Sequence, residues 1–590
     1  VSIFLCFGGG ANDMANAFGS TVGSKALTLT QTVALATVWE FLGAVLLGAS
    51  VTDTVRSKIA DVKQYEDTPD LLMYVMLCAM ISAGLWLLFA TLYEFPVSFT
   101  HSTIGGIVGA SIAGQGWDSV NWSSEQDDFP YINGLSAVCL GWIFSPLLAA
   151  CGSIIIFFIT RTFVLKANNS YKRALYSFPI YMFITSWIVT FFILKKGIPD
   201  LDKSIRNNDG TCAWIAAATA AVCTLTLGLG GIFLIQKRVD KDMADLAAFE
   251  EREANKGTTI EDGGAKKAAD GSDESNEEEE AAASPAPGSR PKLAELTSSV
   301  RRSKIWTGLT HGLNQDVFAS SKEGNAEYEE KVGSIHAHSE TFDRRTEYGF
   351  KYLQIFTASA NMFAHGSNDV ANGIGPLAAI YAIWQCSCIE SKSTVPAWIL
   401  VIGAAGMCLG LMILGYRIIR VLGVKMMRLS HSRGFSCELA AAIVVIVASR
   451  YGLPVSTTQS ITGAITGVGI LECINNRTTG SFNWFLLVKF FCGWVATIFL
   501  VALFAFGLTS FGIKAPNSND SNMIASLNSQ MNETAFSIAE HLDSLGYTAE
   551  ANATLEALSE LTDPLIDMNQ VFDIYNDQTL FLNETVQARA

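Results

Sequence analysis

Gly8-Gly9-Gly10-Ala11-Asn12-Asp13-Met14-Ala15-Asn16-Ala17 returns in the second half of the chain as Ala364-His365-Gly366-Ser367-Asn368-Asp369-Val370-Ala371-Asn372-Gly373. The shared core, Asn-Asp-x-Ala-Asn after a glycine and a small residue, sets an acid and two amides inside apolar sequence. At mid-membrane such an acid costs at least ~2.5–3.5 kcal/mol, so it is there for a function. A second pair recurs in the same order at nearly the same spacing: Phe95-Pro96-Val97-Ser98-Phe99-Thr100-His101-Ser102-Thr103 answers Leu453-Pro454-Val455-Ser456-Thr457-Thr458-Gln459-Ser460-Ile461. Two different motifs repeated in order read as an internal duplication.

The chain has 590 residues, 50% of them hydrophobic and 16% charged, a membrane composition diluted by polar segments. Apolar runs of spanning length fall at about 1–22, 29–50, 71–94, 97–114, 132–161, 175–196, 212–236, 350–384, 396–419, 435–452, 454–474 and 482–512. Seven precede a long polar insert and five follow it, so the two motif copies run through the bilayer in opposite directions. Glycine, proline and polar residues interrupt the runs at the motifs. In lipid, irregular backbone survives only against protein or a water-filled cavity, so these runs should line a site. The expected fold is an all-α polytopic membrane protein of about twelve segments, an inverted-topology repeat with broken helices or re-entrant hairpins at the midplane. Its parts are a first repeat region, 1–236, a mostly disordered acidic cytoplasmic insert, 237–349, a second repeat region, 350–512, and a polar extracellular tail, 513–590. Val1 enters directly into an apolar run shorter than a span, and an N-terminal end is expected to be missing.

The insert holds the acidic run Asp273 to Glu280, then Ser284-Pro285-Ala286-Pro287-Gly288 and Arg301-Arg302, without apolar period or glycosylation sequon. Sequons stand instead at Asn532, Asn552 and Asn583 in the tail and at Asn121 after the fourth segment. Glycosylation requires the luminal face, which places the insert in the cytoplasm and both termini outside, in a multi-pass protein of the plasma membrane. Basic loops at Arg161 to Arg173 and at Arg417 to Arg433 agree. Lys195-Lys196 and the sequons at Asn168 and Asn476 fall on the wrong side, and the two sequons read as chance matches. Apolar spacing at Leu542, Leu545, Leu555, Leu558 and Leu561 suggests short amphipathic helices in the tail. The net charge of −15 argues against nucleic acid as a partner. Twelve Cys show no CxxC and no zinc spacing, the nearest being Cys386-Ser387-Cys388, and they read as small core residues. With no Gly-x-x-x-x-Gly-Lys loop, no metal cluster and no nucleophile-His-acid set, an enzyme is not the expected class.

A broken helix offers free N–H groups at one half-helix start and free carbonyls at the other half's end, the first suited to an anion and the second to a cation. Asn12, Asp13 and Asn16, with Asn368, Asp369 and Asn372, supply hard oxygens for Na⁺ or protons. Hydroxyls come from Ser98, Thr100, Ser102 and Thr103 in one half and from Ser456, Thr457, Thr458 and Ser460 in the other, and with the first N–H groups of the helices they can converge on an oxyanion. Pro96 and Pro454 suit the first turns of those helices. If Asp13 and Asp369 meet at the pseudo-twofold axis, two carboxylates share a low-dielectric space and repel an incoming anion by several kcal/mol. No Arg or Lys lies in either motif, so cations must arrive with the anion or protons must neutralise the acids. Glu40 and Glu438 each suit a second cation, a proton, or a purely interfacial or capping role. His101 and His365 read more readily as hydrogen-bonded packing residues.

Gly-Ala-Asn-Asp-x-Ala-Asn, Pro-Val-Ser-x-Thr-His/Gln, Gly434-Phe435-Ser436-Cys437-Glu438-Leu439 and a long loop after segment seven resemble the inorganic phosphate transporter (PiT) family over nearly all of 1–236 and 350–512. The stretch from Gln115 to Lys196 looks most like fungal and algal members. The resemblance implies a secondary symporter that binds phosphate between two halves. Sodium ions would sit at Asn12, Asp13, Asn368 and Asp369, and the functional glutamates would be Glu40 and Glu438. The phosphate ligands expected here are Ser98, Thr100, Thr103, Ser456, Thr457, Thr458, Asn16 and Asn372. Met14 stands for the usual Val, Phe99 for a small residue or Thr, and Gln459 for the motif's His. The expected function is import of phosphate with Na⁺ by alternating access. Na⁺ serves as coupling ion with no cofactor, and phosphate, Na⁺ and the bilayer are the partners, with room for a homodimer. The rivals are H⁺ coupling, another tetrahedral oxyanion, and a phosphate-binding sensor or receptor.

Overall fold

The computed structural model describes residues 1–14, 17–127, 131–197, 203–263, 310–315, 333–389, 395–514, 518–549 and 552–553. They are helical almost throughout. Apart from a two-residue strand pair at Ser124–Glu125 and Ile132–Asn133, no sheet occurs among them. The first half contains α1 Ser2–Gly9, α2 Gly19–Gly23, α3 Leu29–Ser57, α4 Pro69–Leu92, α5 Phe99–Gln115, α6 Leu135–Ile159, α7 Ser170–Phe192, α8 Asp209–Cys223 and α9 Gly230–Gly263. The second contains α10 Arg344–Cys386, α11 Ala397–Leu414, α12 Tyr416–Val424, α13 His431–Arg450, α14 Thr457–Asn476 and α15 Trp484–Lys514. Two compact units result, Val1–Ser510 and Phe511–Ala590.

Among the described residues eight helical stretches are long and apolar enough to cross a membrane: α3, α4, α6, α7, the joined α8 and α9, α11, α13 and α15. The other four apolar runs of the sequence are also helical, as α1 with α2, α5, α10 and α14, but are shorter or more polar. These four carry the repeated motifs. Polarity that a lipid-facing helix cannot tolerate is tolerated here because the motif positions are buried in protein.

Start signals in the sequence set the elements. Thr28 opens α3 through a reciprocal capping box with Gln31, Asn208 caps α8, and Asp343 accepts from Thr346 N at the start of α10. In the hairpin helices α5 and α14 the N-caps are Ser98 and Ser456, each accepting from the N–H three residues on at 3.2 Å. Pro96 and Pro454 thus precede the helices, in the extended segment that leads to the cap, and do not occupy the first turn as expected.

Each half folds an antiparallel helix pair, α4 with α5 and α13 with α14, and each pair is followed by a helix that packs on the opposite half. α6 lies along α14, where Gly463 and Gly467 leave room for the Pro146 and Ala150 carbonyls and Ser153 Oγ donates to Ala464 O at 2.7 Å. α15 lies along α5, where Gly105 and Gly109, at the equivalent positions, leave room for Ile498 and Ala502.

The ends of the helices sort into two sets. At one, Ala60 bridges Val120, Gln115 Nε2 reaches Thr68 Oγ1 at 3.0 Å, and Ile59, Tyr65 and the α10 residue Ile383 share a core. At the other, Glu340 meets Arg161 and Lys166 and the Arg433 guanidinium, while Asn476 donates to His338 O at 3.1 Å. The insert is not all irregular, since α9 carries on to Gly263. The acidic run Asp273 to Glu280 and Arg301-Arg302 lie outside the described residues, as does Asn583. The tail holds one 27-residue helix, α16 Ser518–Ser544, longer than the short helices its spacing suggested; Leu555, Leu558 and Leu561 are not described.

The cysteines divide. Cys6, Cys78, Cys212 and Cys437 are buried as expected, Cys139, Cys151 and Cys492 are exposed on apolar helices, and Cys386 and Cys388 form a disulfide. The reading of all twelve as core residues is corrected accordingly.

Candidate functional site

The two motif copies are built differently. After Gly8-Gly9-Gly10, α1 gives way to a π-helical turn, Gly10–Met14. Successive glycines hold an α-helix weakly, and π-turns occur often at functional sites. The second copy has one glycine before its acid, and there α10 runs on unbroken. Among the described residues the α-helix is therefore interrupted at the motif only in the first half, by that π-turn. Gly366 serves close packing instead, against the Glu40 carbonyl.

The turns before α5 and α14 meet these helices. Asn12 Oδ1 accepts from Val97 N at 2.9 Å, and its Nδ2 donates to Phe95 O and Thr91 Oγ1 at 3.0 and 3.1 Å. Asp13 Oδ2 accepts from Phe99 N at 2.9 Å. In the second half Asn368 Nδ2 donates to Val455 O at 2.7 Å, and Asp369 Oδ2 accepts from the Thr457 hydroxyl. Phe99 and Thr457 are equivalent positions, so one acid takes a backbone N–H where the other takes a side-chain O–H. The turns also bond across the repeat in reciprocal fashion: Thr100 Oγ1 donates to Val455 O at 3.1 Å, and Thr458 Oγ1 to Val97 O at 3.5 Å. Such mutual contacts are the signature of an interface with a twofold axis.

At that junction Asp13, His365 and Asp369 come together, all fully buried, with one ligand atom from each lying within 4.8 Å of the others. Two like charges at such a separation oppose each other by about 3–4 kcal/mol at an effective dielectric of ~20. Asn372 Nδ2 links Thr100 Oγ1, at 3.0 Å, to Asp369 Oδ1. The Oδ1 atoms of Asn368 and Asn372 are buried without a hydrogen-bond partner among the described residues, which sets two carbonyl-type oxygens beside the two carboxylates.

His365 is the residue that sequence reasoning undervalued. Its Nδ1 lies 3.1 Å from Glu40 Oε2 and its Nε2 3.0 Å from Asp369 Oδ2, so it joins the first of the outlying acids to the central pair. The signal was present, for it stands one helical turn before Asp369 and on the same face. His101 packs as expected, stacking on Trp142 with ring centroids 4.0 Å apart, but its Nδ1 lacks the expected hydrogen bond among the described residues. Glu438 belongs to a separate buried cluster, where its oxygens accept from Ser20 and Thr21 at 2.6 Å, Thr357 at 3.0 Å and Gln354 at 3.2 Å. Ser102 and Ser460 donate back to the carbonyls of Ser98 and Ser456 within their own helices. Thr103 is buried with no hydrogen-bond partner for its Oγ1 among the described residues, and Asn16 lies outside them.

A family described as the phosphate transporter family matches residues 9–505. The chain is 33% identical to the phosphate-repressible phosphate permease pho-4 of Neurospora crassa, over 86% of this chain and 95% of that protein. It is 27% identical to the sodium-dependent phosphate transporter 1 of Rattus norvegicus, over 83% and 90% of the two chains. In fold it is similar to a solved structure titled the sodium-dependent phosphate transporter, with a TM-score of 0.61 at 24% identity over 87% of this chain and 97% of that one.

Proposed function

The chain belongs to the phosphate transporter family, and from that premise we propose that it is a secondary active symporter that imports inorganic phosphate together with Na⁺ by alternating access. Membership sets it among transporters and not enzymes. The observation that carries the mechanism is the meeting of Asp13 and Asp369 at the N-termini of α5 and α14. An oxyanion drawn to the two helix starts and to Ser98, Thr100, Ser456, Thr457 and Thr458 meets two carboxylates. Na⁺ held by Asp13, Asp369 and the unpartnered oxygens of Asn368 and Asn372 offsets that repulsion, and the loaded site crosses closer to neutrality. Asn12, its amide engaged on both atoms, positions the first turn.

We take the molecule as an inverted repeat in which α4 with α5 and α13 with α14 form two helical pairs that enter from opposite ends, and the other eight apolar runs cross. The reciprocal bonds of Thr100 and Thr458 support this, as does the exchange of α6 and α15. The Asn121 sequon, and the Cys386–Cys388 disulfide at the end of α10, belong to one set of loops. Basic loops and residues 333–343 belong to the other. Disulfides persist in oxidising compartments and basic loops face the cytoplasm, so the first set faces outward, with the chain in the plasma membrane. His365, tied to Glu40 and Asp369, favours H⁺ as the rival coupling ion.

Uptake of radiolabelled phosphate into proteoliposomes decides between these. We expect uptake to vanish when choline replaces Na⁺. Uptake that persists without Na⁺ under an imposed proton gradient rejects the sodium reading, and absence of phosphate uptake under both gradients rejects phosphate transport.

A further inference from the structure

Beside the central site, five buried side chains from α5, α6 and α14 hold polar atoms without a hydrogen-bond partner among the described residues: His101 Nδ1, Trp142 Nε1, Ser145 Oγ, Gln459 Oε1 and Thr462 Oγ1. All are more than nine-tenths buried. Register and stacking bring Trp142, Gln459 and His101 together. α6 and α14 pack in parallel, with Pro146 against Gly463 and Ala150 against Gly467. One turn earlier Trp142 falls level with Gln459, where Gly141 meets Val455, while Ser145 and Thr462 lie on opposite flanks of that contact. Trp142 also stacks on His101, which places the group next to the first turns of both hairpin helices.

Native interiors leave few polar atoms unpaired, and an unpaired cluster marks a place for a ligand or water. The chemistry of this one is specific. Trp142 can only donate, and the free atom of Gln459 can only accept. A fully deprotonated oxyanion satisfies the donor and leaves the Gln459 oxygen facing another lone pair. An oxyanion that retains an O–H group satisfies both.

We propose that Gln459, with Trp142, determines substrate specificity by selecting oxyanions that carry a proton. The Gln459 oxygen accepts from the P–O–H group while the Trp142 N–H holds a second oxygen. The proposal rests on the phosphate-transport reading above. It assigns a role to a position where the chain departs from its own first half, which has His101 in place of Gln459. A site built around a substrate O–H rejects analogues that lack it far more strongly than an apolar pocket rejects a missing methylene.

The test is competition against radiolabelled phosphate uptake by the full-length chain, with arsenate, which retains an O–H near neutral pH, and sulfate, which does not. Gln459→Met removes the acceptor at nearly constant volume. It should raise the KM for phosphate and the inhibition constant for arsenate about tenfold or more, with sulfate inhibition unchanged or stronger, so that the preference over sulfate falls by the same factor. Trp142→Phe keeps the stack on His101 and removes one donor; it should weaken all three anions together. If Gln459→Met fails to reach the membrane, Gln459→Asn, which withdraws the same amide by one methylene, takes its place. Variants present at wild-type levels with unchanged KM and unchanged preference overturn the proposal and leave the cluster to water. A wild-type chain that moves no phosphate sinks the functional reading instead.

Discussion

Phe99 shows how a single position divides labour between the halves. Its ring is fully buried and lies against Gly9 of one motif copy and Gly373 of the other, so it fills the gap that the glycines open. Thr457 at the equivalent place gives its hydroxyl to Asp369. Phe99→Thr should therefore act on stability, lowering it by about 3–5 kcal/mol as for other large-to-small core changes, read as a fall in Tm of the detergent-solubilised protein. Thr457→Val should leave Tm nearly unchanged and reduce uptake; equal losses of Tm in both would refute this division. For the acids, Asp13→Asn and Asp369→Asn should each abolish Na⁺-coupled uptake while the protein stays in the membrane. Full turnover in either would remove that acid from the coupling site. At this scale the sequence was informative wherever the repeat duplicated a residue, and misleading where function was not duplicated. The pairing of Asp13 with Asp369 followed from symmetry. His365 did not, because its partner Glu40 is 325 residues away and nothing at the equivalent place in the first copy is titratable.

Among elements, α5 and α14 are fixed by backbone contact. Gly109 and Gly467 occupy equivalent positions, and a Cβ at either would run into a carbonyl oxygen, of Ala502 or Ala150. Gly109→Leu and Gly467→Leu should each cost at least about 1–3 kcal/mol of overpacking, with loss of the protein from the membrane fraction in cells; normal levels and uptake in both would show that the helices can part freely. Where the residues are described, the apolar runs are mostly helical, because hydrophobicity and length report helices well. The state of the second motif was not legible, since a single glycine is compatible with a break or with close packing. Tertiary contact with Glu40 decided for packing. Pro96 and Pro454 misled in the same way: proline marks the approach to a helix as well as its first turn, and the cap hydroxyls of Ser98 and Ser456 settled the register.

Over the whole molecule, polar contacts tie the end of the insert to the helix bundle. Burial alone would raise the Glu340 carboxyl, but bonds from Arg161 at 2.6 Å and Lys166 at 3.1 Å hold it below its ordinary value. A carboxyl lowered in the folded state stabilises above its unfolded pKa of ~4.3, and that stabilisation is lost as pH falls through the folded value. Tm should accordingly drop between about pH 4.3 and lower values, and Glu340→Gln should lower Tm at neutral pH while flattening that acid limb; an unchanged acid limb would discount the contact. Residues 264–309 connect the halves, and co-expressed fragments 1–263 and 310–590 should restore uptake that neither gives alone.

The exchange of α6 for α15 also imposes a timetable. Ser153 meets its acceptor at Ala464 across 311 residues of chain, and at ~5–20 residues per second a ribosome needs roughly 15–60 s to supply them. Throughout that interval α6 of the nascent first half has no mate and the glycine-lined groove of α5 has no occupant, so assembly must wait for the last helices to be inserted.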